Sequence, residues 1–166
     1  ITFTDEKGAK QYPFILHLSP SGAIERVIYA LLEKAAADAK AGKPPMLPLW
    51  LSPTQVRIVP VSADQLAPAR ELLRRFHDIR VDLDDTNNTL AKKVRRAEKE
   101  WVPYIAVVGR KEIESGRLNV RIRETKAQTD MSLEDLHTRI ATATAGRPFR
   151  PLAEPIEVSA RPPFRG

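Results

Sequence analysis

Apolar residues recur along the chain with two spacings, and the changes of spacing predict alternating strands and helices. Between Gly22 and about Lys40 apolar residues fall every three or four positions, which is typical of an amphipathic helix. Further helical periods lie around 64–77, 90–101 and 132–143. The last of these is predicted to begin with Ser132 as N-cap and Asp135 three residues on, a variant of the capping box. Short apolar runs that predict buried strands lie at 12–22 (where the strand ends in a turn), 55–62, 79–83 and 102–109. Residues 117–124 alternate instead, as expected for a strand with one buried face.

This order of elements predicts an α/β fold with a mixed sheet and helices on its faces. The stretch 41–53 holds four prolines and one glycine, so we expect a linker there. We therefore divide the chain into residues 1–44, a linker at 45–54, a main domain at 55–145 and a Pro- and Arg-rich extended tail at 146–166. Residues 110–116 are expected to form a turn that ends at Gly116. Because the chain starts with Ile1, we interpret it as a piece of something longer or as a processed chain.

The helix predicted around 90–101 separates its apolar and basic residues onto opposite sides. Its apolar side carries Leu90, Val94, Ala97 and Trp101. Its basic side carries Lys92, Arg95, Arg96 and Lys99. Residues 86–126 hold 11 Lys/Arg and 5 Asp/Glu, so this quarter of the chain contains the whole net charge of +6. Such a patch is typical of a polyanion-binding surface, although a solvated charged face has the same composition.

Signatures of catalysis and of membrane insertion are missing from the sequence. It has no Walker loop, no G-x-G-x-x-G, no H-E-x-x-H and no G-x-S-x-G. No apolar run reaches 18 residues, which predicts no membrane span. The absence of cysteine excludes disulfides and fits a reducing cytosol. The acidic run Asp82–Asp85 could bind Mg²⁺, but we favour a role at the start of the basic helix, where carboxylates and Asn or Thr suit the helix dipole.

Polar side chains beside the basic helix favour recognition of unpaired RNA bases. Strand 117–124 presents Arg117, Asn119, Arg121 and Arg123 on its outer face. Guanidinium groups offer forked donors to phosphates and base edges. Asn87, Asn88, Thr89 and Asn119 can hydrogen-bond base edges, and Glu112 and Glu114 can accept from base amino groups. A surface salt bridge is an equally good interpretation of the two glutamates. Arg26 opposes the dipole of its helix, which suggests an anionic ligand, although Glu25 beside it also explains a tolerated arginine.

Four stretches of the sequence resemble one enzyme family. "HLSPSGAIERVIYALLEKA" (17–35) resembles motif 3 of class II aminoacyl-tRNA synthetases, and "PLWLSPTQVRIVPVS" (48–62) resembles the entry into the class IIa anticodon-binding domain. "DDTNNTLAKKVRRAEKEWVPYIAVVGRKEIESGRLNVRIRE" (84–124) is similar to that domain in threonyl-tRNA synthetases, particularly archaeal ones, and "GRPFRPL" (146–152) also resembles the archaeal form. The resemblance implies that residues 1–44 are a strand–helix remnant of a catalytic domain.

The resemblance also implies roles for individual residues. Arg26 matches the motif 3 arginine that contacts ATP, and His17 matches a ligand of the zinc ion that reads threonine, whose other ligands we expect upstream. The positions that match anticodon contacts are Asn87, Thr89, Arg95, Glu112 and Arg121. Lys92 and Arg123 are predicted as phosphate contacts from their charge alone. ATP and zinc are expected only in the longer parent, and no cofactor is expected on this piece.

The sequence thus predicts the anticodon-recognition part of a cytoplasmic threonyl-tRNA synthetase, with tRNA as partner and a homodimeric parent. Because class II motifs 1 and 2 are absent, we expect this chain alone to be inactive. Three alternatives remain open. They are the anticodon domain of a prolyl, glycyl or histidyl enzyme, a non-catalytic RNA-binding module, and a protein-interaction domain without RNA.

Overall fold

The structure, a computed structural model, describes residues 1–18 and 22–162. It contains two compact units, the first comprising residues 1–33 and the second beginning at residue 34. The strands are β1 (Phe3–Thr4), β2 (Lys10–Gln11), β3 (Val56–Pro60), β4 (Val81–Leu83), β5 (Tyr104–Val108), β6 (Arg117–Ile122) and β7 (Ala127–Ser132). The α-helices are α1 (Ile24–Lys40), α2 (Leu66–Arg74), α3 (Leu90–Lys99), α4 (Arg110–Ser115) and α5 (Leu133–Ala143). Single 3₁₀ turns lie at Leu49–Leu51, Ala63–Gln65 and Val158–Ala160.

The first unit begins with a hairpin in which β1 pairs antiparallel with β2. The carboxylate of Asp5 fixes the turn by accepting the N–H groups of Lys7 and Ala9 at 2.9 Å each. The strand predicted at 12–22 is wrong for residues 12–18, which join no sheet and leave Phe14 and Leu16 fully exposed. An apolar run becomes a strand only beside a partner strand, and the described residues supply none for this segment. The predicted turn at 19–21 lies outside the described residues.

The second unit is built on a five-stranded mixed sheet with the order β4-β3-β5-β6-β7, so the predicted mixed α/β fold is confirmed. Strands β4, β3 and β5 are parallel, whereas β6 and β7 join antiparallel. The chain passes from β3 through α2 to β4 on one side, then returns through α3 to β5 on the other. Since parallel crossovers are right-handed, reversing direction at β3 places α2 and α3 on opposite faces of the sheet.

Two apolar cores confirm this layering. The larger core joins inward side chains such as Ile58, Ala106 and Val120 to α2 and α5. The smaller core joins Val59 and Ile105 to α3. Strand β5 therefore has apolar side chains buried on both faces, as its continuous apolar run predicted.

Two local elements differ from the sequence-based expectations. The predicted turn at 110–116 is instead the short helix α4, which ends at Gly116 with φ of 67°. Strand β7 was not predicted, because its first four residues are exposed and carry no apolar alternation for a pattern to detect. In contrast, the predicted N-cap of α5 is confirmed. Ser132 Oγ accepts the Asp135 N–H at 3.0 Å, and Asp135 Oδ2 accepts the Ser132 N–H at 3.3 Å.

The C-terminal segment 146–162 was expected to lie extended over the surface, but it is fastened to the edge of the sheet. The Ile156 carbonyl accepts the Leu83 N–H at 2.9 Å, and the segment forms a short parallel bridge with β4. The Ser159 N–H and hydroxyl both donate to the carboxylate of Asp85. An edge strand has unpaired backbone groups, and this segment satisfies some of them for β4. Residues 163–166 of the predicted tail lie outside the described residues.

A buried ionic network lies between α3 and the sheet. The fully buried carboxylate of Asp82 accepts from Arg57 Nε and Nη2 at 2.8 Å each, from Thr54 Oγ1 at 2.9 Å and from Arg161 Nη2 at 2.8 Å. Arg57 Nη2 also lies 2.6 Å from a carboxylate oxygen of Glu100, the residue that ends α3. Burial lowers the pKa of Arg57, but hydrogen bonds and charges from Asp82 and Glu100 outweigh it and raise that pKa overall. The network therefore ties the C-terminal end of α3 to β3 and β4.

Candidate nucleic-acid interface

Along β6 and β7, one face of the sheet is covered by no helix of the described residues. We call it the open face, and its residues are Arg117, Asn119 and Arg121 of β6 with Gln128 and Asp130 of β7. It lies on the same side of the sheet as α3, because Ile105 beneath α3 pairs in register with Arg121. Alternation along β6 produces this arrangement. Leu118, Val120 and Ile122 fill the larger core and force their neighbours outward.

The basic side of α3 borders the open face. As predicted, Val94 and Ala97 are buried with Leu90 against them, while Lys92, Arg95 and Lys99 are exposed. The fourth predicted cation, Arg96, differs. Its side chain is 34% exposed and lies 3.5 Å from the buried carboxylate of Asp84, so it holds the loop before the helix. Three cations of α3 therefore remain directed to solvent, over about 10 Å of helix.

A groove of about 710 Å³ lies between α3, the open face and the proline-rich linker. We call it the basic groove, because six cations and one carboxylate, Glu98, line it. The cations are Lys43, Arg95, Lys99, Arg121, Arg123 and Lys126. Its apolar lining includes Pro44, Pro45, Val102 and Ile105. A positive rim over an apolar lining is the arrangement that accepts an unstacked base together with its phosphate.

Arg121 is the predicted anticodon contact that the structure places most clearly in this groove, beside Arg95. Its Nη1 lies 3.7 Å from Glu98 Oε1, and the two side chains are 46% and 53% exposed. An exposed pair at this distance contributes little free energy, so the guanidinium is available to a ligand. Gln128 lies directly opposite Arg121 in the register of β6 and β7, and its amide donates to Asn119 Oδ1.

Arg123 lies in the groove, but its contacts are with the protein backbone. Its Nε donates to the Pro45 carbonyl at 2.8 Å and its Nη1 to the Glu98 carbonyl at 2.7 Å, while the guanidinium lies over the ring of Trp101. Burial lowers the pKa of Arg123, and the charge of Glu98 opposes that shift. These contacts hold the linker against the C-terminal end of α3. The phosphate contact predicted for Arg123 stays a prediction, with the Nη2 group and the second N–H of Nη1 as its remaining donors.

Three predicted anticodon contacts lie outside the basic groove, at the edge of the sheet where β3, β4 and β5 end. Asn87 is exposed in the loop after β4, and Thr89 begins α3 by accepting the Lys92 N–H at 3.4 Å. Thus Thr89, and not the acidic run 82–85, caps the basic helix. Glu112 follows β5 at the start of α4. Ligands of open α/β sheets bind beyond the carboxyl ends of the strands, so this edge is a second candidate contact region of the domain. Arg121 lies four residues after Arg117, the first residue of β6, which is about 13 Å along the strand from this edge.

Several polar groups that could read bases are already engaged by the protein. Glu112 Oε2 accepts the Gly109 N–H at 2.9 Å and so caps the start of α4, which is neither of the roles expected from the sequence. Asn88 Nδ2 donates to Thr86 Oγ1 at 3.1 Å, and Asn119 Nδ2 donates to Asp130 Oδ1 at 2.7 Å. Asn87, in contrast, makes no side-chain hydrogen bond to any described residue, so its amide is available to a base edge.

Arg26 and His17, the residues predicted to bind ATP and zinc, lie in the first unit and are exposed. Arg26 is in the first turn of α1, and a Cβ on Gly22, whose φ is 70°, would lie 3.0 Å from its guanidinium. The positive φ favours glycine at residue 22, whereas the exposed Arg26 side chain could move away from a Cβ. Across residues 1–18 and 22–162, no group of three or more His, Cys, Asp or Glu side chains is placed to hold a metal ion. His17 alone does not fit zinc, which needs three or four ligands, so both roles stay predictions.

The acidic run 82–85 uses its carboxylates within the protein. Asp82 binds arginines, Asp84 accepts from the N–H and hydroxyl of Thr86, and Asp85 binds Ser159.

Among the described residues, a search for a helix with the length and hydrophobicity of a membrane span found none.

Comparison with protein families decides what this surface belongs to. A family model described as "Anticodon binding domain" matches residues 55–142, which is more than half of the chain. The chain belongs to the anticodon-binding domain family. The matched region of this anticodon-binding domain contains the whole five-stranded sheet, helices α2 to α4 and all of α5 except its last residue.

Two curated relatives of this chain are archaeal enzymes. It is 55% identical over 168 residues to the threonine–tRNA ligase of Thermococcus gammatolerans, with 100% of this chain and 27% of the relative covered. It is 54% identical over 164 residues to the threonine–tRNA ligase of Cenarchaeum symbiosum, with 98% and 27% covered. The chain therefore spans about a quarter of the length of these relatives.

A solved structure is similar to the anticodon-binding domain as well. It is the RNA-binding domain of threonyl-tRNA synthetase from Cryptosporidium parvum, with a TM-score of 0.52 and 28% identity over 64% of this chain and 27% of that one.

Sequence reasoning did not find Lys43, Lys126 and Gln128 of the basic groove. Lys43 was assigned to the region before the linker, and the other two belong to a turn and an edge strand without an apolar pattern.

Proposed function

We propose that the chain binds the anticodon loop of a threonine-accepting tRNA, as part of a threonine–tRNA ligase. The observation that carries this proposal is the basic groove, in which Arg95 and Arg121 face solvent beside an apolar lining within a family-matched anticodon-binding domain. The identity of more than half of its residues with threonine–tRNA ligases supports threonine over the prolyl, glycyl and histidyl alternatives.

The groove supplies RNA recognition by two kinds of interaction. Its cations attract phosphates without regard to sequence, and this attraction weakens steeply as salt rises. Arg121 can donate two parallel hydrogen bonds to one base edge, which discriminates between bases. Asn87 and Thr89, at the carboxyl edge of the sheet, extend the same surface toward neighbouring nucleotides, and Lys92 on the first turn of α3 offers a further phosphate contact.

Replacing Arg121 by Ala tests this proposal. We expect binding to threonine tRNA to weaken by about 1–3 kcal/mol, with loss of discrimination at one anticodon position. Fluorescence anisotropy with wild-type and anticodon-mutated tRNAs measures both quantities. Arg117→Ala is a matched control on the same strand, because Arg117 points to the same side but does not line the groove.

An equal loss with every tRNA would make Arg121 a phosphate clamp and would contradict base reading. Absence of any salt-dependent binding by the unmodified chain would contradict the proposed function itself and would favour a protein-interaction domain.

The catalytic part of the proposal concerns the longer enzyme. In it, Arg26 would bind ATP and His17 would contribute one zinc ligand, where zinc supplies Lewis acidity for recognising threonine. The proposal includes a homodimeric enzyme in the cytoplasm. One exposed arginine does not bind ATP productively, so we expect no threonine-dependent ATP–pyrophosphate exchange by the 166-residue chain. Exchange above the buffer background would show that this expectation is wrong.

A further inference from the structure

The basic groove contains two lysines that come from outside the helix and strand that sequence reasoning singled out. Lys43 lies at the start of the proline-rich linker, and Lys126 lies in the turn between β6 and β7. They line the same cavity as Arg95 and Arg121. From these observations we infer that Lys43 and Lys126 bind the backbone phosphate of an unpaired RNA nucleotide whose base enters the groove. This inference rests on the proposed function and adds to it the residues that hold the RNA backbone.

The first argument is the charge balance inside the groove. Glu98 is the single carboxylate among the lining residues, and Arg121 is its ion-pair partner. Neither Lys43 nor Lys126 lies within 4 Å of a carboxylate oxygen in the described part of the chain, and both are exposed. Lys43 interacts electrostatically with the carboxylate of Asp38, but that carboxylate is already paired with Lys34 at 2.9 Å. The groove therefore keeps an excess of positive charge, which attracts an external anion. A compact ammonium suits a phosphate as a point charge, whereas arginine suits the planar edge of a base.

The second argument is how the lysines are held. The backbone N–H of Lys43 donates to the Asp38 carbonyl at 2.9 Å, and two residues further on the Pro45 carbonyl accepts from Arg123. The linker is therefore fixed on both sides of Pro44 and forms a defined wall. Lys126 has φ of 58°, a left-handed backbone conformation that is unusual for a residue with a side chain. Hairpin turns commonly contain such a residue, and the Lys126 N–H closes this turn by donating to the Arg123 carbonyl at 3.3 Å, so the backbone of Lys126 is fixed beside the groove.

The third argument is the size and lining of the cavity. A volume of about 710 Å³ lies within the range of small-ligand sites, about 300–1,000 Å³, and accommodates a nucleotide. Val102 and Ile105 give it an apolar surface for a base, and the prolines of the linker form one side. A base that is stacked in a duplex cannot enter such a cavity, so the ligand is a single-stranded segment.

The test uses the full 166-residue chain and an RNA stem–loop that carries a threonine anticodon. Lys43→Gln and Lys126→Gln each remove one charge with little change of volume, and Lys10→Gln is the matched control, since Lys10 is exposed in β2 and does not line the groove. Affinity is measured by anisotropy at a series of salt concentrations. Thermal unfolding of each variant confirms that the fold is retained.

We expect each groove variant to bind several-fold more weakly and to lower the slope of log affinity against log salt by about 0.7, the value for one phosphate of a single strand. The loss should be the same for every loop sequence, because a phosphate contact carries no sequence information. Lys10→Gln should leave both quantities unchanged.

Other outcomes would overturn the inference. Unchanged salt slopes for both groove variants, together with a clear loss for Arg121→Ala, would refute the phosphate site while leaving anticodon binding intact. An equal effect of the variants on a duplex RNA without a loop would show general RNA attraction and not an unpaired-nucleotide site. If the unmodified chain bound neither RNA, the proposed function would fail together with this inference.

Discussion

The carboxylate of Asp82 should be the most sensitive single group in the second unit. It is fully buried and accepts four hydrogen bonds, two of them from the equally buried Arg57. In Asp82→Ala, Arg57 would keep only Glu100 as a partner, and that side chain is 45% exposed. Removing one partner of a buried ion pair typically costs about 3–5 kcal/mol, because the other charge stays buried without compensation. Domains of this size have a total free energy of unfolding of only about 5–15 kcal/mol.

The assay is urea unfolding followed by tryptophan fluorescence. Both tryptophans, Trp50 and Trp101, belong to the second unit, so the signal reports the unit that contains Asp82. A loss of about 3–5 kcal/mol corresponds to a decrease in melting temperature of about 6–20 °C for a chain of this length. Arg74→Ala is the surface control. The Arg74 and Glu71 side chains are both about 70% exposed, and such a pair contributes at most about 1 kcal/mol.

A double variant distinguishes a stranded charge from simple loss of packing. Arg57→Met combined with Asp82→Leu removes both charges of the fully buried pair and leaves Arg161 with Glu154 as its partner, so it should be more stable than Asp82→Ala alone. The reasoning would be refuted if Asp82→Ala were as mild as Arg74→Ala, or if the double variant were the less stable of the two. Either result would mean that Arg57 finds a new partner or water when its carboxylate is removed.

Three further perturbations test other parts of the structure. Burial tends to raise the pKa of Asp85, but hydrogen bonds from Ser159 outweigh this and lower it. The stability from this contact is therefore full above about pH 4 and is lost as pH falls through the lowered pKa. Asp85→Asn should flatten the acid side of a plot of unfolding free energy against pH. Glu112→Ala should lower the free energy of unfolding by about 0.5–2 kcal/mol, measured with urea, because the Gly109 N–H loses its acceptor. Glu112→Gln should keep most of this cap. An equal loss for both variants would show that the charge, and not the hydrogen bond, matters. Gly116→Ala should destabilise by about 1 kcal/mol because its φ is positive, and no change in the urea midpoint would contradict that view.

Features that depend on near neighbours in sequence were predictable. The apolar and basic sides of α3 follow from helical spacing, and the structure buries Val94 and exposes Arg95 accordingly. The alternation of β6 and the Ser132 cap of α5 were likewise found as expected. In each case the determining contacts lie within one element, so periodicity and capping chemistry record them directly.

Features that depend on distant partners were not predictable. Arg123 looked like a phosphate contact until the fold placed the Pro45 carbonyl beside it, 78 positions away. Glu112 looked like a base reader, although folding makes it a helix cap. Residues 12–18 have the composition of a buried strand and still join no sheet, since strand formation needs hydrogen-bond partners that composition cannot supply.

The sequence by itself therefore determined most helices and the central strands, the concentration of positive charge in residues 86–126, and the side of β6 that faces outward. Only the tertiary structure decided which charges remain available, because it engages Arg57, Arg96 and Arg123 internally. The same folding brings Lys43 and Lys126 to one groove. The physical reason is that charge is a property of residues, whereas availability depends on which donors and acceptors the fold has already paired.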